Sequence, residues 1–452
     1  MNKPFFSLLA FFLTLHLAYG AWAQAPDTLY LDLEQTVRLA VRNNPDLKRV
    51  KLNQDILEEQ IKGAKGLALP QVSASAGYTD NFALPQQLLP GEIFGQEGQI
   101  PVKFGVRYGL KAGVEVQQLL FSQDYFANIK KLDAARQTYQ LQTLSSMEDL
   151  VYNVAQVYIQ IQITREQKEI LEENLARVDQ LVGIAQTQFE NGIIKKLDVD
   201  QLRVNRTNLQ TQLSSLDINA RQQLYLLRFY LALDPDQPIA LAEKMDNEER
   251  VPLYGELHLG ENINYRILEQ QIRLAELDND VIRAGYYPTV SAFAQYGYTG
   301  QANQFNFNTD NYSDYTAGLW GINVSIPLFD GLQKRRNLEA NKLKSQQLLY
   351  DKEQLINASE MEFRNSTVKI RQNEELVRTQ QENMELAREL SDVTRMSYQE
   401  GVAPLTELIN AESSLNQAQS QYLSALLNFK LAELEHARVS GQLAEMIQSS
   451  NF

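Results

Sequence analysis

The chain has 452 residues, no cysteine and three histidines, and its 42 Lys and Arg against 56 Asp and Glu give a formal net charge of −14. The lack of cysteine excludes disulfides, thiolate metal sites, a cysteine nucleophile and a lipid-modified N-terminal cysteine, and an acidic chain is not typical of a nucleic-acid partner. The histidines lie far apart, at positions 16, 258 and 436, so we predict no metal site and no cofactor.

The N-terminus has the pattern of a secretion signal. Lys3 supplies the positive charge, residues 5–18 form an apolar segment too short to span a bilayer, and Ala21-Trp22-Ala23 is a small-x-small cleavage site. We therefore predict a signal peptide at residues 1–23. No apolar run of about 18 residues follows it, so no transmembrane helix is expected.

Residues 106–117 alternate between apolar and polar side chains, which is the period of a strand. Twelve residues at about 3.3 Å each span roughly 40 Å, and a tilt of about 40° reduces this to roughly 30 Å, the thickness of the apolar part of a bilayer. A soluble sheet would turn the polar face to bulk water, whereas a membrane strand would turn it to a water-filled lumen. In the second case Arg107, Lys111 and Glu115 are predicted to face the lumen.

Three more segments alternate in the same way: residues 72–79, 290–298 and 322–328. The stretches 85–101 and 301–315 lie at the strand tips and are predicted loops. Four strands are too few to close a barrel, because about eight is the practical minimum. If the apolar faces meet lipid, several copies must share one barrel. Two copies would give eight strands and three would give twelve, and the periodicity does not choose between them.

Four long runs contain neither Gly nor Pro: residues 123–182, 193–234, 332–400 and 405–440. Their apolar residues recur three and four positions apart, which predicts amphipathic helices. As single helices, the longest runs would reach roughly 90–100 Å at 1.5 Å per residue, far beyond the usual helix of a globular domain. We therefore predict long helices that lie side by side as antiparallel hairpins.

The second half of the chain repeats the first. Residues 189–192 correspond to residues 398–401, and the same offset of 209 continues through both neighbouring helices. Each half has the order helix, two strands, long helix, glycine turn, helix, so the predicted fold is mixed and mainly α. The predicted segments are a first repeat at 24–233, a connector at 234–260, a second repeat at 261–441 and a short C-terminal tail at 442–452.

These features together resemble the TolC-type outer membrane factors, a family of outer-membrane channels. The resemblance rests on the duplicated order of elements, on Pro-x-Val before the first strand of each half, on Ile-Pro-Leu-Phe-Asp-Gly at 326–331 and on the segment 397–408 around the second glycine turn. It implies a homotrimer with a shared twelve-stranded barrel in the outer membrane and a coiled helical tunnel in the periplasm. It also implies docking to a periplasmic adaptor and an inner-membrane transporter, with no chemistry by the chain itself.

The resemblance implies roles for the two glycine turns. Gly192-Ile193 and Gly401-Val402 would form the tips that dock the adaptor. A glycine at such a tip permits a tight reversal with positive φ, and a purely structural turn would use it in the same way.

Three further positions are implied at the periplasmic entrance. Asp198 and Glu407 are the acids six residues past the tip glycines, and in the family acids of the second turn ring a closed entrance. The family often has a second acid three residues later, where this chain has Asn410. A ring of Glu407 side chains would repel anions and select cations, whereas a solvated Glu near a helix start would stabilise the helix dipole.

The leading hypothesis is a passive outer-membrane duct of a tripartite efflux or type I secretion system. A secreted structural or adhesive coiled-coil protein is the alternative, and it would explain the signal peptide and the long helices but not the four strands of membrane-spanning length placed symmetrically between them. An enzyme is not expected, because the sequence has no phosphate loop after a strand, no G-x-S-x-G and no H-E-x-x-H.

Overall fold

The structure is a computed structural model that describes residues 28–95, 97–242, 257–305 and 313–449. The predicted signal peptide and residues 243–256 of the predicted connector lie outside these ranges. The chain divides into two compact units. The helical unit lies within residues 1–51, 141–267 and 352–452, and the sheet unit lies within 52–140 and 268–351.

The elements follow one another in an order that is similar in the two halves. In chain order they are β1 (Leu29–Leu31), α1 (Leu33–Asn43), α2 (Pro45–Gly66), β2 (Gln71–Asp80), β3 (Gln86–Pro90), β4 (Gln99–Lys103), β5 (Tyr108–Ser122), α3 (Gln123–Glu190), α4 (Lys196–Leu231), β6 (Ile239–Leu241), α5 (Ile263–Ala284), β7 (Thr289–Ala302), β8 (Ser313–Ser325), α6 (Gln333–Gln399), α7 (Leu405–Val439) and α8 (Gln442–Ser449). The four Gly- and Pro-free runs thus form the four long helices α3, α4, α6 and α7.

The sheet unit contains a four-stranded antiparallel sheet in the order β2-β5-β7-β8. The pairing of β5 with β7 joins the strands of the first half to those of the second half. The two outer strands, β2 and β8, each have one side without a partner among the described strands. All four alternating segments of the sequence therefore lie in one sheet.

The register places most of the apolar side chains of the four strands on one face of this sheet, while Phe293 and Leu319 lie on the other face. One row pairs Val72 with Val116, Val116 with Ala294, and Ala294 with Trp320. Because directly opposed residues lie on the same face, this row and its even-numbered neighbours form an apolar face. The face is solvent-exposed in the single chain, with Val72 67% and Trp320 80% exposed.

A β-bulge in β5 extends the apolar face beyond the predicted strand end. The register shifts between Leu119 and Phe121, so that Phe121 lies opposite Val290. An extra residue reverses the alternation, and Phe121 thereby lies on the apolar face although its number is odd. The predicted strand at 106–117 is in fact the longer β5, and Arg107 lies just before it.

The predicted loop at 85–101 is wrong in one respect, because it contains ordered strands. β3 and β4 pair as an antiparallel hairpin, from Gln86 opposite Lys103 to Pro90 opposite Gln99. The Gln-rich composition concealed two short strands, since neither strand has an apolar face long enough to give a clear period of two.

The helical unit buries α7 much more deeply than α6. Fifteen of the 35 residues of α7 are buried, whereas α6 has five buried residues over 67, four of them Ser or Thr. Large apolar side chains of α6 remain exposed instead, among them Leu386 (65%) and Val393 (51%). Exposed apolar faces of this kind mark contact surfaces.

The largest apolar core of the helical unit packs α1 against α3 and α4. Val154 and Tyr158 of α3 lie in one buried cluster with Leu227 and Leu231 of α4. β1, before α1, and β6, after α4, pair as a parallel two-stranded sheet whose leucines join this core. Helix α8 covers the same core with Leu443 and Ile447, so the predicted C-terminal tail is a packed helix over residues 442–449.

Candidate functional site

The first glycine turn closes α3 with a left-handed residue. Gly192 has φ 75°, its N–H donates to the carbonyl of Phe189 at 2.9 Å, and the N–H of Ile193 donates to the carbonyl of Gln188 at 2.9 Å. This pair of bonds satisfies carbonyls at the helix end. A glycine is favoured here because an L side chain is strained at positive φ.

The second glycine turn repeats this geometry at the end of α6. Gly401 has φ 77°, its N–H donates to the carbonyl of Tyr398 at 3.0 Å, and the N–H of Val402 donates to the carbonyl of Ser397 at 2.8 Å. The two segments that correspond in sequence therefore have the same local structure. Both present an apolar side chain to solvent directly after the glycine, with Ile193 70% and Val402 78% exposed.

The two turns lie on one small core of the helical unit. Leu181 and Ala185 of α3 and Val199 of α4 pack there with Leu405 and Leu408 of α7. The Tyr398 hydroxyl on α6 also donates to Oε1 of Gln188 on α3, at 3.2 Å. Burial, and then the negative charge of Asp198, raise the pKa of Tyr398, so this hydroxyl keeps its proton at neutral pH.

The acid past the first turn has a structural function. The carboxylate of Asp198 accepts a hydrogen bond from the backbone N–H of Lys195 at 3.0 Å, at the start of α4. A carboxylate in the first turn of a helix also stabilises the helix dipole. Asp198 is half-buried.

The corresponding acid of the second turn is free of such a bond to the helix start. Glu407 lies in the first turn of α7 and is exposed, and Asn410 one turn later is exposed as well. Glu407 and Asn410 thus lie near each other on the outer surface of α7, and both face solvent in the single chain.

A buried polar cluster on α3, α6 and α7 was not found by sequence reasoning. Glu412 of α7 is 7% exposed, and its carboxylate lies between Arg177 of α3 and Arg395 of α6. Asn174 of α3 donates to Oε1 of Gln419 on α7 at 3.0 Å. The sequence feature that could have indicated this cluster is Glu412 itself, a charged residue within the apolar stripe of α7 between Leu408 and Leu415.

On the polar face of the sheet, Lys111 and Glu115 point away from the apolar residues. Glu115 lies opposite Gln295, and Lys111 lies opposite Thr299. Arg107, before β5, instead forms an ion pair with Asp80 at 3.0 Å. Lys111 and Glu115 therefore lie on the face opposite Val116 and Ala294, while Arg107 is bound at the strand end.

A row of small residues separates Lys111 from Glu115 across the whole sheet. The row is Ser75, Gly113, Gly297 and Ala317. A Cβ added to Gly113 would lie 3.2 Å from the carbonyl oxygen of Tyr296. The polar face is therefore open at this level, because no large side chain occupies the row.

A polar cavity of the helical unit contains a carboxyl group with an unusual pKa. The cavity is lined by Glu148, Asp149, Glu261, Lys369 and Arg438, among others. Burial raises the pKa of Glu148 from 4.5 to about 7, although the positive charge of Arg438 acts in the opposite direction.

No helix in the described ranges combines the length and the apolar composition needed to cross a bilayer. Among the described residues, no group of three or more His, Asp or Glu side chains is arranged to hold a metal ion.

The chain is similar in sequence and in structure to known outer-membrane proteins. The family model described as outer membrane efflux protein matches residues 36–233 and 258–442. The probable outer membrane lipoprotein SilC of Salmonella typhimurium is 22% identical over 417 residues, which cover 87% of this chain and 82% of SilC.

Two solved structures show the same fold. The crystal structure of CusC matches with a TM-score of 0.72 at 17% identity, over 91% of this chain and 93% of CusC. The CmeC outer membrane channel of Campylobacter jejuni matches with a TM-score of 0.72 at 14% identity, over 95% of this chain and 93% of CmeC. The matched residues include both glycine turns and all four strands of the sheet, and the chain belongs to the outer membrane efflux protein family, an outer-membrane channel family whose members are not enzymes.

Proposed function

We propose that three copies of the chain form a passive duct through the outer membrane, which receives substrate from a periplasmic adaptor and an inner-membrane transporter. The observation that carries this proposal is the register of the four-stranded sheet. It collects most of the apolar side chains on one exposed face and places Lys111 and Glu115 on the other. Such a sheet suits hydrocarbon on one side and a water-filled lumen on the other.

The edges of the sheet support assembly of several copies. Among the described strands, β2 and β8 each lack a partner on one side, and an open strand edge is not tolerated within the hydrocarbon of a bilayer. Pairing of β8 in one copy with β2 in the next would satisfy both edges. Three copies then give a barrel of twelve strands, which is above the minimum of about eight. The exposed apolar side chains of α6 would be covered in the same assembly.

The two helix tips are the proposed docking sites for the adaptor. Gly192-Ile193 and Gly401-Val402 form matching reversals, and the apolar side chains of Ile193 and Val402 are largely exposed. Apolar side chains are typical of the buried centre of a protein interface. Two similar exposed apolar side chains on matching turns would therefore suit a partner that contacts both halves of the chain in the same way.

The periplasmic entrance is proposed to lie at the start of α7. Exposed Glu407, with Asn410 one turn later, would form a ring of three carboxylates around the axis of a trimer. Asp198 would contribute mainly by holding the start of α4, since its carboxylate already caps Lys195. A ring with one acid per copy selects cations less strongly than a double ring would.

Among the two export classes, the relatives favour efflux. CusC is named as part of a cation efflux system, and TtgF of Pseudomonas putida, 23% identical over 426 residues, as part of a toluene efflux pump. Their different substrates indicate that the duct does not set specificity, so we assign the choice of substrate to the transporter. Secretion of polypeptides and a secreted coiled-coil role have no observation of their own in the structure.

Tryptophan fluorescence tests the proposed orientation of the sheet. Trp320 lies on the apolar face, and the other tryptophan of the sequence, Trp22, lies in the predicted signal peptide. The mature chain is purified and reconstituted into vesicles. Brominated phosphatidylcholine in the vesicles should then quench the fluorescence of Trp320. The matched control moves the tryptophan to the polar face through Trp320→Phe with Leu319→Trp, and its fluorescence should respond to aqueous iodide instead.

The reverse pattern would contradict the proposal. If Trp320 were quenched by iodide and not by brominated lipid, the apolar face would not meet hydrocarbon. The mass of the detergent-purified particle, measured by light scattering, separately tests the number of copies. The mass of a single chain would contradict the proposed shared barrel.

A further inference from the structure

The segment between β8 and α6 exposes large apolar side chains. Leu328 is 92% and Phe329 is 81% exposed, and Ile326 before them is 57% exposed. Ile326 and Leu328 continue the even-numbered alternation of Ile322 on the apolar face of β8. Exposed apolar side chains next to a lipid-facing strand are suited to contact the membrane rather than water.

The first three turns of α6 carry an unusual positive charge. Residues 333–344 contain five bases and one acid, a net charge of +4 in a chain of net charge −14. Four of these bases are exposed: Arg335, Arg336, Lys342 and Lys344. In the part of the chain that the structure describes, none of these four forms an ion pair, whereas most other bases of the sheet unit do.

A fixed turn connects the apolar side chains to the bases. Gly331 and Leu332 both have φ 66°, and the carboxylate of Asp330 accepts hydrogen bonds from the backbone N–H of Lys334 at 3.1 Å and from its Nζ at 3.0 Å. Lys334 is thus bound within the turn. Arg335 and Arg336 follow it directly and extend from a helix whose start is held in place.

The order of these side chains matches the layers of a membrane surface. Apolar residues that enter the hydrocarbon are followed within about two turns by long basic side chains, which extend to the level of the phosphates. In addition, positively charged residues beside a bilayer are attracted to anionic headgroups over about a Debye length, roughly 10 Å. Arg335 and Arg336 lie within this distance of the helix start, since three residues of helix span about 5 Å.

We propose that the segment 326–336 docks on the periplasmic leaflet of the outer membrane and that Arg335 and Arg336 bind the phosphate groups of anionic phospholipids. Lys342 and Lys344 extend the positive field from the next turns of α6. The inference rests on the proposed contact of the apolar sheet face with lipid. It adds a preference for one class of lipid and a surface that fixes the depth of the channel in the membrane.

Lipid retention by the purified protein tests this surface. The detergent-solubilised particle is mixed with equal amounts of dioleoylphosphatidylglycerol and dioleoylphosphatidylcholine, and the bound lipids are counted by native mass spectrometry. The wild-type protein should retain phosphatidylglycerol preferentially. Arg335→Gln with Arg336→Gln should lower this preference by about fivefold for each base removed, and Arg335→Lys with Arg336→Lys should keep most of it.

The matched control uses two exposed arginines farther along the same helix. Arg371 and Arg388 are exposed and form no ion pair within the described residues, so Arg371→Gln with Arg388→Gln makes the same change of charge. The control should keep the wild-type preference. An unchanged preference in the Arg335 and Arg336 variant, or no preference in the wild type, would overturn the inference.

Two other outcomes separate this inference from the proposed function. If the Arg335 and Arg336 variant fell apart into monomers while the control stayed assembled, the two arginines would bind a neighbouring copy, and the lipid site would be rejected. If brominated lipid quenched Trp320 but no lipid preference were seen, the sheet would still meet hydrocarbon and only the headgroup site would fail.

Discussion

The carboxylate of Glu412 lies 3.4 Å from Nε of Arg395, and both groups are largely withdrawn from solvent between two long helices. Its other oxygen lies 3.7 Å from Nε of Arg177 on a third helix. The side chain of Glu412 is only 6% exposed, whereas the two arginines are 28% and 26% exposed. One buried carboxylate therefore lies beside two arginines, one from each half of the chain.

Glu412→Ala should destabilise the helical unit by about 3 kcal/mol, because removal of one partner leaves the other charges facing each other in a partly buried site. Glu412→Gln should cost less, about 1–2 kcal/mol, since its amide oxygen still accepts a hydrogen bond. The measurement is chemical denaturation of the detergent-purified protein followed by circular dichroism. Glu407→Ala, an exposed change on the same helix, should stay within about 0.5 kcal/mol. Equal midpoints for the two alanine variants would show that the cluster adds no stability.

The pKa of Glu148 predicts how stability depends on pH. Burial raises this pKa from 4.5 in an ordinary setting to about 7, so the folded chain keeps a proton that the unfolded chain would release between these values. Stability should therefore fall as pH rises from about 4.5 to 7, by about 1–2 kcal/mol once the partial exposure of the side chain is allowed for. Glu148→Gln should remove this slope in denaturation curves recorded from pH 5 to 8.

The control for Glu148 is Glu173→Gln, an exposed change on the same helix. That variant should keep the wild-type slope. If Glu148→Gln and the wild type lost stability equally between pH 5 and 7, the titration of the cavity would have to be assigned to another of its acids.

The long helices and the tip turns were predictable because their signals are local. Gly and Pro are absent from residues 123–182, and the helix α3 begins at Gln123 and ends just before the tip at Gly192. The glycine that ends each helix needs only its own backbone geometry to be identified. The two tips have nearly the same φ, 75° and 77°, and the segments around them are similar in sequence.

The features that sequence reasoning missed depend on a distant partner. The bulge at Leu119–Phe121 is defined by the register of β5 against β7, which no local pattern states. Similarly, the sequence around Glu412 does not distinguish it from an exposed acid on a helix. Its partner Arg177 lies 235 positions earlier in the sequence and is close only in the fold. The β3–β4 hairpin was missed because short polar strands have no clear alternation.

Gly401→Val should reduce pump-dependent export while leaving assembly intact. No heavy atom lies within 4 Å of a Cβ added at Gly401, but its φ of 77° is strained for an L residue by about 1–2 kcal/mol. The tip should therefore relax and move Val402. Export is measured in cells that carry the cognate pump, and assembly is measured by light scattering. Gly183→Val is the matched control, because Gly183 is equally open but lies within α3. Normal export by the Gly401 variant would show that this turn does not dock the adaptor.

Glu407→Ala should raise the single-channel conductance of the reconstituted protein or lower its preference for cations. A ring of carboxylates at a narrow entrance concentrates cations and excludes anions, and alanine removes both the charge and most of the side chain. The measurement is planar-bilayer recording in a salt gradient. Glu400→Ala, at an exposed position just before the tip glycine, should leave both quantities unchanged. A Glu407 variant with wild-type conductance and selectivity would place the entrance constriction elsewhere.

Two helix ends that lie 209 positions apart should respond oppositely to the exchange of alanine and glycine. Replacing alanine by glycine should stabilise the protein at the first end, and replacing glycine by alanine should destabilise it at the second. Ala232 closes α4 with φ 50°, and Gly441, 209 positions later, follows α7 with φ 87°. Ala232→Gly should stabilise the protein by about 0.5–1 kcal/mol, because the strain of a left-handed alanine exceeds the entropy that glycine adds to the unfolded chain. Gly441→Ala should destabilise it by more than about 1 kcal/mol, since the added Cβ would also lie 3.1 Å from Cβ of Glu261. Both changes are measured as shifts in the denaturation midpoint, and shifts of the same sign would show that the two helix ends are not equivalent.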